Sequence, residues 1–372
     1  MNILILSWRG SGHPNEGGAE IATHEYAKAW VNVGHSVTLF TSSYSDCKGR
    51  EFIDGVEIIR QGSQTFGVHL RAFIWYIFGK HKKYDLVIDH FHGIPFFTPL
   101  YVKTKKMAMI HEVAKEVWQY NQYQFPRNLF VASIGFRIEP HIFKLYKNIH
   151  FMTISKSTKK DLINWEIPEK NITIIYNGVN KPKKQTYKKE KEITITFLGA
   201  LAKDKGIETA IDVFSHLQIS SDINFQFWII GKGDSNYLRF LKKRIEKLNL
   251  RNVKFWGYVS EDRKFILLGR SHILINPSIR EGWGLVVIEA AEVGTPTVAF
   301  NVPGLRDSII DNKTGLLSQE YSAKGLADSI FELLENRKRY SLMCENAVSW
   351  GNRFSWEKAT KESLKLLDKI MS

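Results

Sequence analysis

NPSIREGWGLVVIEAAEVGTP, residues 276–296, is the stretch of the sequence that decides the predicted fold. The apolar, β-branched run 273–275 before it predicts a buried strand, which the Asn-Pro pair would end. Residues 285–292 are rich in helix formers, and the Gly-Thr-Pro that follows them is a typical helix stop. The stretch therefore predicts a strand, a glycine-bearing loop and a short helix, in that order.

The loop and the start of the predicted helix are suited to binding a phosphate. Gly282 and Gly284 let the backbone approach a ligand closely. The first N–H groups of a helix have no acceptor within the helix, and here they belong to Trp283, Gly284 and Leu285. Because they lie at the positive end of the helix dipole, we expect them to face an anion.

Two glutamates flank this helix start, Glu281 in the loop and Glu289 eight positions later. Carboxylates accept hydrogen bonds from sugar diols, so a phosphate site with two carboxylates indicates a sugar nucleotide. The pattern P-S-x-x-E-G-x-G-L-x-x-x-E-A-x-x-x-G-T-P resembles the E-x7-E signature of the retaining glycosyltransferases of family 4, which have the GT-B fold. The resemblance implies that Glu281 lies by the donor sugar and Glu289 by the nucleotide ribose. An exposed pair of glutamates on a surface helix is the simpler alternative.

The composition bounds the class of protein. A chain of 372 residues with 44% apolar and 13% aromatic residues is long enough for two folded domains. Its net charge of +14 favours anionic or phosphorylated partners. Cys47 and Cys344 are too few for a disulfide framework or a zinc site, so a reducing cytoplasm is expected. No signal peptide is recognised, and the longest apolar runs, 72–79 and 129–136, are too short to span a bilayer.

The first forty residues predict a βαβ opening, with a strand, a helix and a strand at 3–7, 19–33 and 36–41. Gly17 and Gly18 lie at the predicted helix start, which again suits an anion. The spacing G-x-G-x-x-G is absent, which disfavours a dinucleotide cofactor. Relatives in family 4 commonly carry P-x-x-G-G-x-E here, and Pro14, Gly17, Gly18 and Glu20 match it. The resemblance therefore adds the two glycines to the donor site.

A histidine follows one of the further predicted strands, which lie at 56–59, 86–89, 107–110, 151–155 and 171–176. Ligands bind beyond the carboxyl ends of the strands in open α/β sheets, so His111 is well placed for function. The family often shows His-Asp at this position, with the histidine near the donor sugar. This chain has His111 and Glu112, so the resemblance implies a catalytic role for the histidine and matches its acidic neighbour only loosely. A surface histidine without function is the alternative.

The basic segment KPKKQTYKKEK, residues 181–191, predicts a linker between two domains, 1–180 and 192–352. We expect it to be a solvated hinge, because Tyr187 is the one aromatic residue among its charges, whereas a nucleic-acid surface would interleave several. The resemblance implies that the last segment, 353–372, contains a helix that crosses back to the first domain. The expected fold is therefore α/β, with two Rossmann-like domains facing a cleft.

The second domain resumes with a strand at 193–198 and the loop GALAKDKG, residues 199–206. Relatives usually carry G-R-L-x-x-x-K-G there, and its arginine and lysine neutralise the donor diphosphate. Lys205 matches the lysine and is expected to be catalytic, whereas Ala200 stands in place of the arginine. Two other residues could supply the missing charge, namely Lys203 and Arg280.

Two further loops of the second domain resemble donor-binding loops of the family. Gly231 begins a Gly-Lys-Gly-Asp turn after a predicted strand at 225–230. Tyr258 follows the V-x-F-x-G turn, after which the family places residues that flank the nucleotide base. Both residues are therefore added to the predicted donor site.

The predicted function is transfer of a sugar from a nucleoside diphosphate sugar to an acceptor hydroxyl, with retention. No D-x-D motif occurs in the sequence, so we expect no metal and no cofactor beyond the sugar nucleotide itself. A sugar-nucleotide epimerase of the same fold is one alternative, and would turn over the donor without an acceptor. A basic nucleic-acid-binding protein is another, although no basic and aromatic surface motif supports it.

The acceptor is not specified by the sequence, and a lipid-linked or polysaccharide precursor of a cell-surface glycan is expected. Residues 69–83 and 127–147 combine apolar and aromatic stretches with flanking Lys and Arg, which favours a peripheral position on anionic lipid at the inner face of the membrane. In the alternative, the apolar side chains of the first stretch face the core of the domain. Those side chains are Leu70, Phe73, Ile74 and Ile77.

Overall fold

The chain divides into two compact units. The computed structural model describes residues 1–65, 67–91, 93–120, 127–182 and 187–372. One unit consists of Met1–Gly178 and Trp356–Ser372, and the other of Val179–Ser355. In this division the predicted linker, 181–191, falls inside the second unit.

The first unit is built on a sheet of short, largely buried strands rich in Ile, Leu, Val and Phe. They are β1 (Asn2–Ser7), β2 (Ser36–Thr41), β3 (Arg50–Ile53), β4 (Val56–Arg60), β5 (Leu86–Phe91), β6 (Lys105–Ile110), β7 (His150–Thr153) and β8 (Ile172–Ile174). Their order across the sheet is β3-β4-β2-β1-β5-β6-β7-β8. All pairs are parallel except β3 with β4, which form an antiparallel hairpin at the edge. The helices between these strands are α1 (Gly18–Asn32), α2 (Gly67–Phe78), α3 (Arg127–Lys144) and α4 (Lys156–Asn164).

The second unit repeats the parallel α/β plan with a sheet in the order β11-β10-β9-β12-β13-β14. Its strands are β9 (Ile193–Leu198), β10 (Phe225–Ile230), β11 (Val253–Gly257), β12 (Ile273–Asn276), β13 (Thr297–Phe300) and β14 (Gly315–Ser318). Its helices are α5 (Ile207–Ile219), α6 (Ser235–Lys247), α7 (Glu261–Arg270), α8 (Leu285–Glu292), α9 (Leu305–Ser308), α10 (Ala323–Glu335) and α11 (Arg337–Gly351). The predicted class, two Rossmann-like α/β domains, is confirmed.

The last helix, α12 (Trp356–Met371), belongs to the first unit and packs on α1. Leu366 and Leu367 are buried in the core that also contains Ile3 and Trp30. The indole N–H of Trp30 donates to Ser363 Oγ over 2.9 Å. The core of the first unit therefore includes side chains from both ends of the chain.

The end of the predicted linker is packed, and the expectation of a solvated hinge is wrong there. Residues 183–186 lie outside the described residues. Tyr187 packs against the core of the second unit. Lys189 Nζ donates to Gly294 O (3.2 Å) and to Thr295 Oγ1 (2.8 Å), and burial lowers the pKa of Lys189 to about 8. These acceptors replace water around the ammonium group, so a basic residue in this segment can be buried.

Candidate functional site

The loop between β12 and α8 has the strand, loop and helix order that its sequence predicts. Gly284 precedes the first residue of α8 with φ of +76°, a backbone conformation that L side chains rarely adopt. A Cβ atom at Gly284 would also lie 3.0 Å from Leu305 Cδ2. The N–H groups of Gly284 and Leu285 stand at the positive end of the helix, where no intrahelical acceptor exists. The start of α8 is thus suited to an anion.

The predicted donor residue Trp283 has a structural side chain. Its indole ring is buried and lies edge-on to Phe354, with ring centroids 5.1 Å apart. Gly282 beside it is also buried. Any contact of this segment with a ligand would therefore come through its backbone.

Lys205 and Glu281, which are 76 positions apart, form an ion pair. Lys205 Nζ lies 3.0 Å from Glu281 Oε1, and Ser278 Oγ donates to the same oxygen over 2.8 Å. A short 3₁₀ turn, Lys203–Lys205, places the lysine after β9. Gly206 ends that turn with φ of +71°, and a Cβ atom there would lie 2.1 Å from the carbonyl oxygen of Pro277. A glycine at this position lets the two loops approach closely enough for the ion pair to form.

Glu289 forms a second ion pair, with a lysine that the sequence analysis missed. Lys264 Nζ lies 2.7 Å from Glu289 Oε1 and 2.9 Å from Glu261 Oε2. Burial raises the pKa of Glu289, and Lys264 offsets only part of that effect. Burial alone would lower the pKa of Lys264, but the two neighbouring carboxylates together raise it. Both charged groups are thus largely removed from water, and each favours the ionised form of the other.

The two residues expected to replace the missing arginine differ in their surroundings. Lys203 is exposed on the turn that carries Lys205, and Ala200 is exposed as well. Arg280 is buried, with 4% of its surface exposed. Lys203 is therefore the one of the two whose charge is accessible from solvent.

Gly231 and Tyr258 lie on neighbouring strand ends of the second unit. A Cβ atom at Gly231 would lie 1.8 Å from the carbonyl oxygen of Gly199, so only glycine fits there. Tyr258 is exposed, and Lys232 Nζ lies 5.5 Å from the centre of its ring. An exposed aromatic ring with a nearby cation is a surface on which a planar base can stack.

His111, Gly17 and Gly18 belong to the first unit. His111 follows β6, and its ring lies edge-on to that of His90, with centroids 5.2 Å apart. Its Nε2 atom is buried and has no hydrogen-bond partner within the described part of the chain. Burial, reinforced by His90 and opposed by Glu20, lowers the pKa of His111 to about 3. The imidazole is therefore neutral near pH 7.

The loop before α1 is held by Glu20. This carboxylate accepts from the backbone N–H of Gly17 over 2.8 Å and from Arg9 Nε over 3.1 Å. Glu20 matches the family motif P-x-x-G-G-x-E, which by itself indicates no role for the residue. The two contacts explain why an acid is useful there, since they fix the loop that leads into the helix.

The depressed pKa of His111 predicts a loss of stability in acid. Between pH 6.5 and about 3 the unfolded chain binds a proton that the folded chain does not, so stability falls as the pH is lowered, by about 1.4 kcal/mol per pH unit. We expect His111→Asn to reduce this slope in urea unfolding measured by fluorescence. His141→Asn, which changes an exposed histidine of the same unit, is the control. Equal slopes for wild type and His111→Asn would contradict the prediction.

No cluster of three His, Cys, Asp or Glu side chains that could hold a metal ion occurs in the described ranges. The second unit holds two ion pairs and two glycine-bearing backbone turns as candidates for function, and the first unit separately holds a neutral histidine and a helix start. The roles of the individual residues stay predictions.

Comparisons with known proteins identify the class of protein. Residues 16–181 match the family model described as Glycosyltransferase Family 4, and residues 179–350 match the one described as Glycosyl transferases group 1. The chain belongs to these glycosyltransferases, and the resemblance noted in the sequence is confirmed at the level of the family.

Individual relatives agree with this assignment. An uncharacterized glycosyltransferase of Methanocaldococcus jannaschii is 30% identical over 197 residues, which are 53% of this chain and 53% of that protein. The chain thus spans about half the length of that relative. Sucrose-phosphate synthase from Thermosynechococcus elongatus has a similar fold, with a TM-score of 0.79, 19% identity and coverage of 99% and 98% of the two chains. Anabaena HepE in complex with UDP and glucose has a TM-score of 0.74, with 18% identity and coverage of 99% and 100%. The similar solved structures are GT-B glycosyltransferases, and the predicted fold is confirmed.

Proposed function

We propose that this protein transfers a sugar from a nucleoside diphosphate sugar to an acceptor hydroxyl, with retention at the anomeric carbon. The observation that carries the proposal is the Lys205–Glu281 ion pair in the unit that also presents the N–H groups at the start of α8. A cation and helix N–H groups are suited to a leaving diphosphate, and a carboxylate is suited to sugar hydroxyls. The complex of Anabaena HepE with UDP and glucose makes UDP-sugars the first donors to test.

In the proposed mechanism, charge on the leaving diphosphate is stabilised by Lys205 and by the N–H groups of Gly284 and Leu285. Glu281 holds the donor sugar, and Glu289 holds the ribose. Because these carboxylates have separate tasks, they are not the pair required for a double displacement of the glycosidase type. A front-face reaction, in which the donor phosphate helps to deprotonate the acceptor, fits this assignment. We propose that no metal takes part, so chelation with EDTA should leave the rate unchanged.

The proposal is tested by thermal-shift measurements with UDP, GDP and ADP and with their sugars. A donor that binds only the folded state raises the melting temperature in proportion to the logarithm of its concentration. One nucleoside diphosphate sugar should stabilise the wild type, and consumption of that donor should require an acceptor. Stabilisation by none of them would contradict the proposal, and turnover of the donor without an acceptor would indicate an epimerase.

Glu289→Ala should mainly raise the KM for the donor. Ribose contacts exist in both the ground state and the transition state, so losing them weakens binding without slowing the chemical step. A hydrogen bond to a charged acceptor contributes about 1.5–3 kcal/mol, and we expect KM to rise at least about tenfold. Steady-state kinetics measure this, with circular dichroism to confirm the fold. A fall in kcat at unchanged KM would contradict the ribose role.

We propose that the acceptor is a lipid-linked or polysaccharide precursor and that the enzyme works in the cytoplasm, at the inner face of the membrane. In the described part of the chain, no helix is both long enough and apolar enough to cross a bilayer. Support for a peripheral position comes from the excess of basic residues in the first unit around α2. Between residues 67 and 106 the sequence has seven Lys or Arg and two Asp.

A further inference from the structure

Helix α2 has two apolar faces, and only one of them contacts the rest of the described chain. Val68 and Ala72 are buried, and Trp75 and Tyr76 pack against the same core. On the opposite side the helix presents five large apolar side chains to solvent, those of Leu70, Phe73, Ile74, Ile77 and Phe78. Their spacing of three and four residues places them on one face of the helix. The alternative that Leu70, Phe73, Ile74 and Ile77 face the core is therefore wrong.

The exposed face continues beyond the helix. The ring of Phe73 lies edge-on to that of Tyr101, with centroids 5.1 Å apart. Leu100, next to Tyr101 in the chain, is 68% exposed. We call Leu70, Phe73, Ile74, Ile77 and Phe78 the α2 surface. Isolated exposed apolar residues are common, but such a continuous group marks an interaction site.

Basic residues lie next to the α2 surface, on the helix and on the turn that follows it. From residue 67 to residue 84 the chain has no acidic residue, and its basic residues are Arg71, Lys80, Lys82 and Lys83. The basic turn after α2 is tied to the helix end, because the ring nitrogens of His81 lie 2.9 Å from Tyr76 O and 2.8 Å from Lys82 O. The charges are thus held beside the apolar face.

We infer that the α2 surface docks onto a bilayer containing anionic lipid, with α2 lying in the plane of the membrane interface. The helix has 12 residues and is about 18 Å long, which suits lying in the interface and is too short for crossing it. Its apolar face would enter the headgroup region while the exposed Arg71, Lys80 and Lys83 contact lipid phosphates. A second copy of the chain fits less well, because it would bring the same positive charges against each other.

The other apolar stretch, in α3, is a weaker candidate. It exposes Ile134, Phe136 and Ile138, but they include positions two apart and do not form one helical face. The α2 surface therefore carries the inference alone.

The test measures binding of the full chain to sedimented vesicles at low salt, without donor or acceptor. Wild type is compared with Leu70→Gln/Phe78→Gln, which changes side chains that are 62% and 76% exposed. The matched control is Leu342→Gln/Ile219→Gln, at side chains of the second unit that are 57% and 80% exposed. On vesicles of phosphatidylcholine mixed with phosphatidylglycerol, we expect the α2 variant to bind at least about tenfold more weakly and the control to bind like wild type.

A charge variant tests the lipid headgroup. Lys80→Gln/Lys83→Gln should weaken binding to the mixed vesicles by roughly twenty-five-fold, since each basic residue near the surface contributes about a factor of five. It should leave any binding to vesicles of phosphatidylcholine alone unchanged. Lys313→Gln/Lys338→Gln, at exposed lysines of the second unit, is the control. An equal loss of binding in this control would overturn the inference that Lys80 and Lys83 contact the lipid headgroups.

The inference rests on the membrane location proposed above, and the same experiment separates the two. If wild type does not sediment with either kind of vesicle, both are overturned. If wild type binds but the α2 variant binds equally well, only the α2 surface is overturned. Sedimentation velocity without lipid tests whether a second copy of the chain covers the α2 surface instead. If wild type is a dimer and Leu70→Gln/Phe78→Gln is a monomer, the α2 surface is assigned to the second copy and the inference is overturned. Ile74→Gln/Ile77→Gln repeats the test if the first variant unfolds.

Discussion

Lys205→Ala and Glu281→Gln should each lower the rate of sugar transfer about a hundredfold while leaving the fold intact. A charge-assisted contact that strengthens as the leaving group departs contributes about 3 kcal/mol to the transition state. The Lys205–Glu281 pair is partly exposed, with side chains 27% and 17% accessible, so its loss has little effect on stability. The measurement is kcat with a donor identified by thermal shift, together with the urea unfolding midpoint.

The double variant adds a test of coupling. Because Lys205 Nζ and Glu281 Oε1 are 3.0 Å apart, we expect Lys205→Ala/Glu281→Gln to lose less than the product of the two single effects. Lys313→Ala serves as the control for general loss of positive charge, and Lys203→Ala shows whether that lysine supplies the charge missing at Ala200. Near wild-type turnover in both single variants would remove Lys205 and Glu281 from the active site.

Lys264→Met should destabilise the protein by about 3 kcal/mol at neutral pH. Breaking a buried ion pair by removing one partner leaves an uncompensated charge, here the carboxylate of Glu289. Lys264→Met/Glu289→Gln should recover most of the stability, because a neutral pair has no such charge. Lys324→Met, which breaks an exposed ion pair with Asp328, is the matched control and should change stability little. Urea unfolding measures all four proteins.

The pH dependence of Lys264→Met follows from Glu289. Burial raises the pKa of Glu289 above its unfolded value, and loss of Lys264 raises it further. The folded state then retains the carboxyl proton to higher pH than the unfolded state, so the contribution of Glu289 to stability falls as the pH rises. The destabilisation should therefore be smaller near pH 5 than near pH 8. A constant difference across this range would mean that Glu289 is not the group left uncompensated.

The fold was largely predictable because its strands are short apolar runs and its helices have clear ends. The predicted bounds of β9 and α8 agree with the structure to the residue. The hairpin strand β3 was missed, since Arg50–Ile53 lies at the sheet edge and has no buried apolar run. The signal for it was the pair Asp54-Gly55, which has positive φ at both residues and is typical of a tight hairpin turn.

The candidate site was predictable only where it is local in sequence. Glu281, Gly284 and Glu289 follow from one stretch, but the partner of Glu289 does not. Lys264 lies 25 residues earlier, on a helix whose Ser260 cap and acidic first turn were overlooked. Side-chain pairing across such a distance depends on strand order, which the sequence pattern does not fix. The exposed face of α2 was ambiguous for a related reason, since a helix that is apolar all round does not show which side the protein covers.

The division of the chain has a consequence for its synthesis on the ribosome. Val179 and Ser355, the first and last residues of the second unit, pair as a parallel bridge, so the chain enters and leaves that unit side by side. The second unit is a continuous segment and has all its residues once Ser355 has emerged. The first unit does not, because Leu366 and Leu367 of α12 fill a core begun by Ile3. The first unit is thus translated first but completes its folding last. A chain that ends before α12 lacks the side chains of Leu366 and Leu367 in that core.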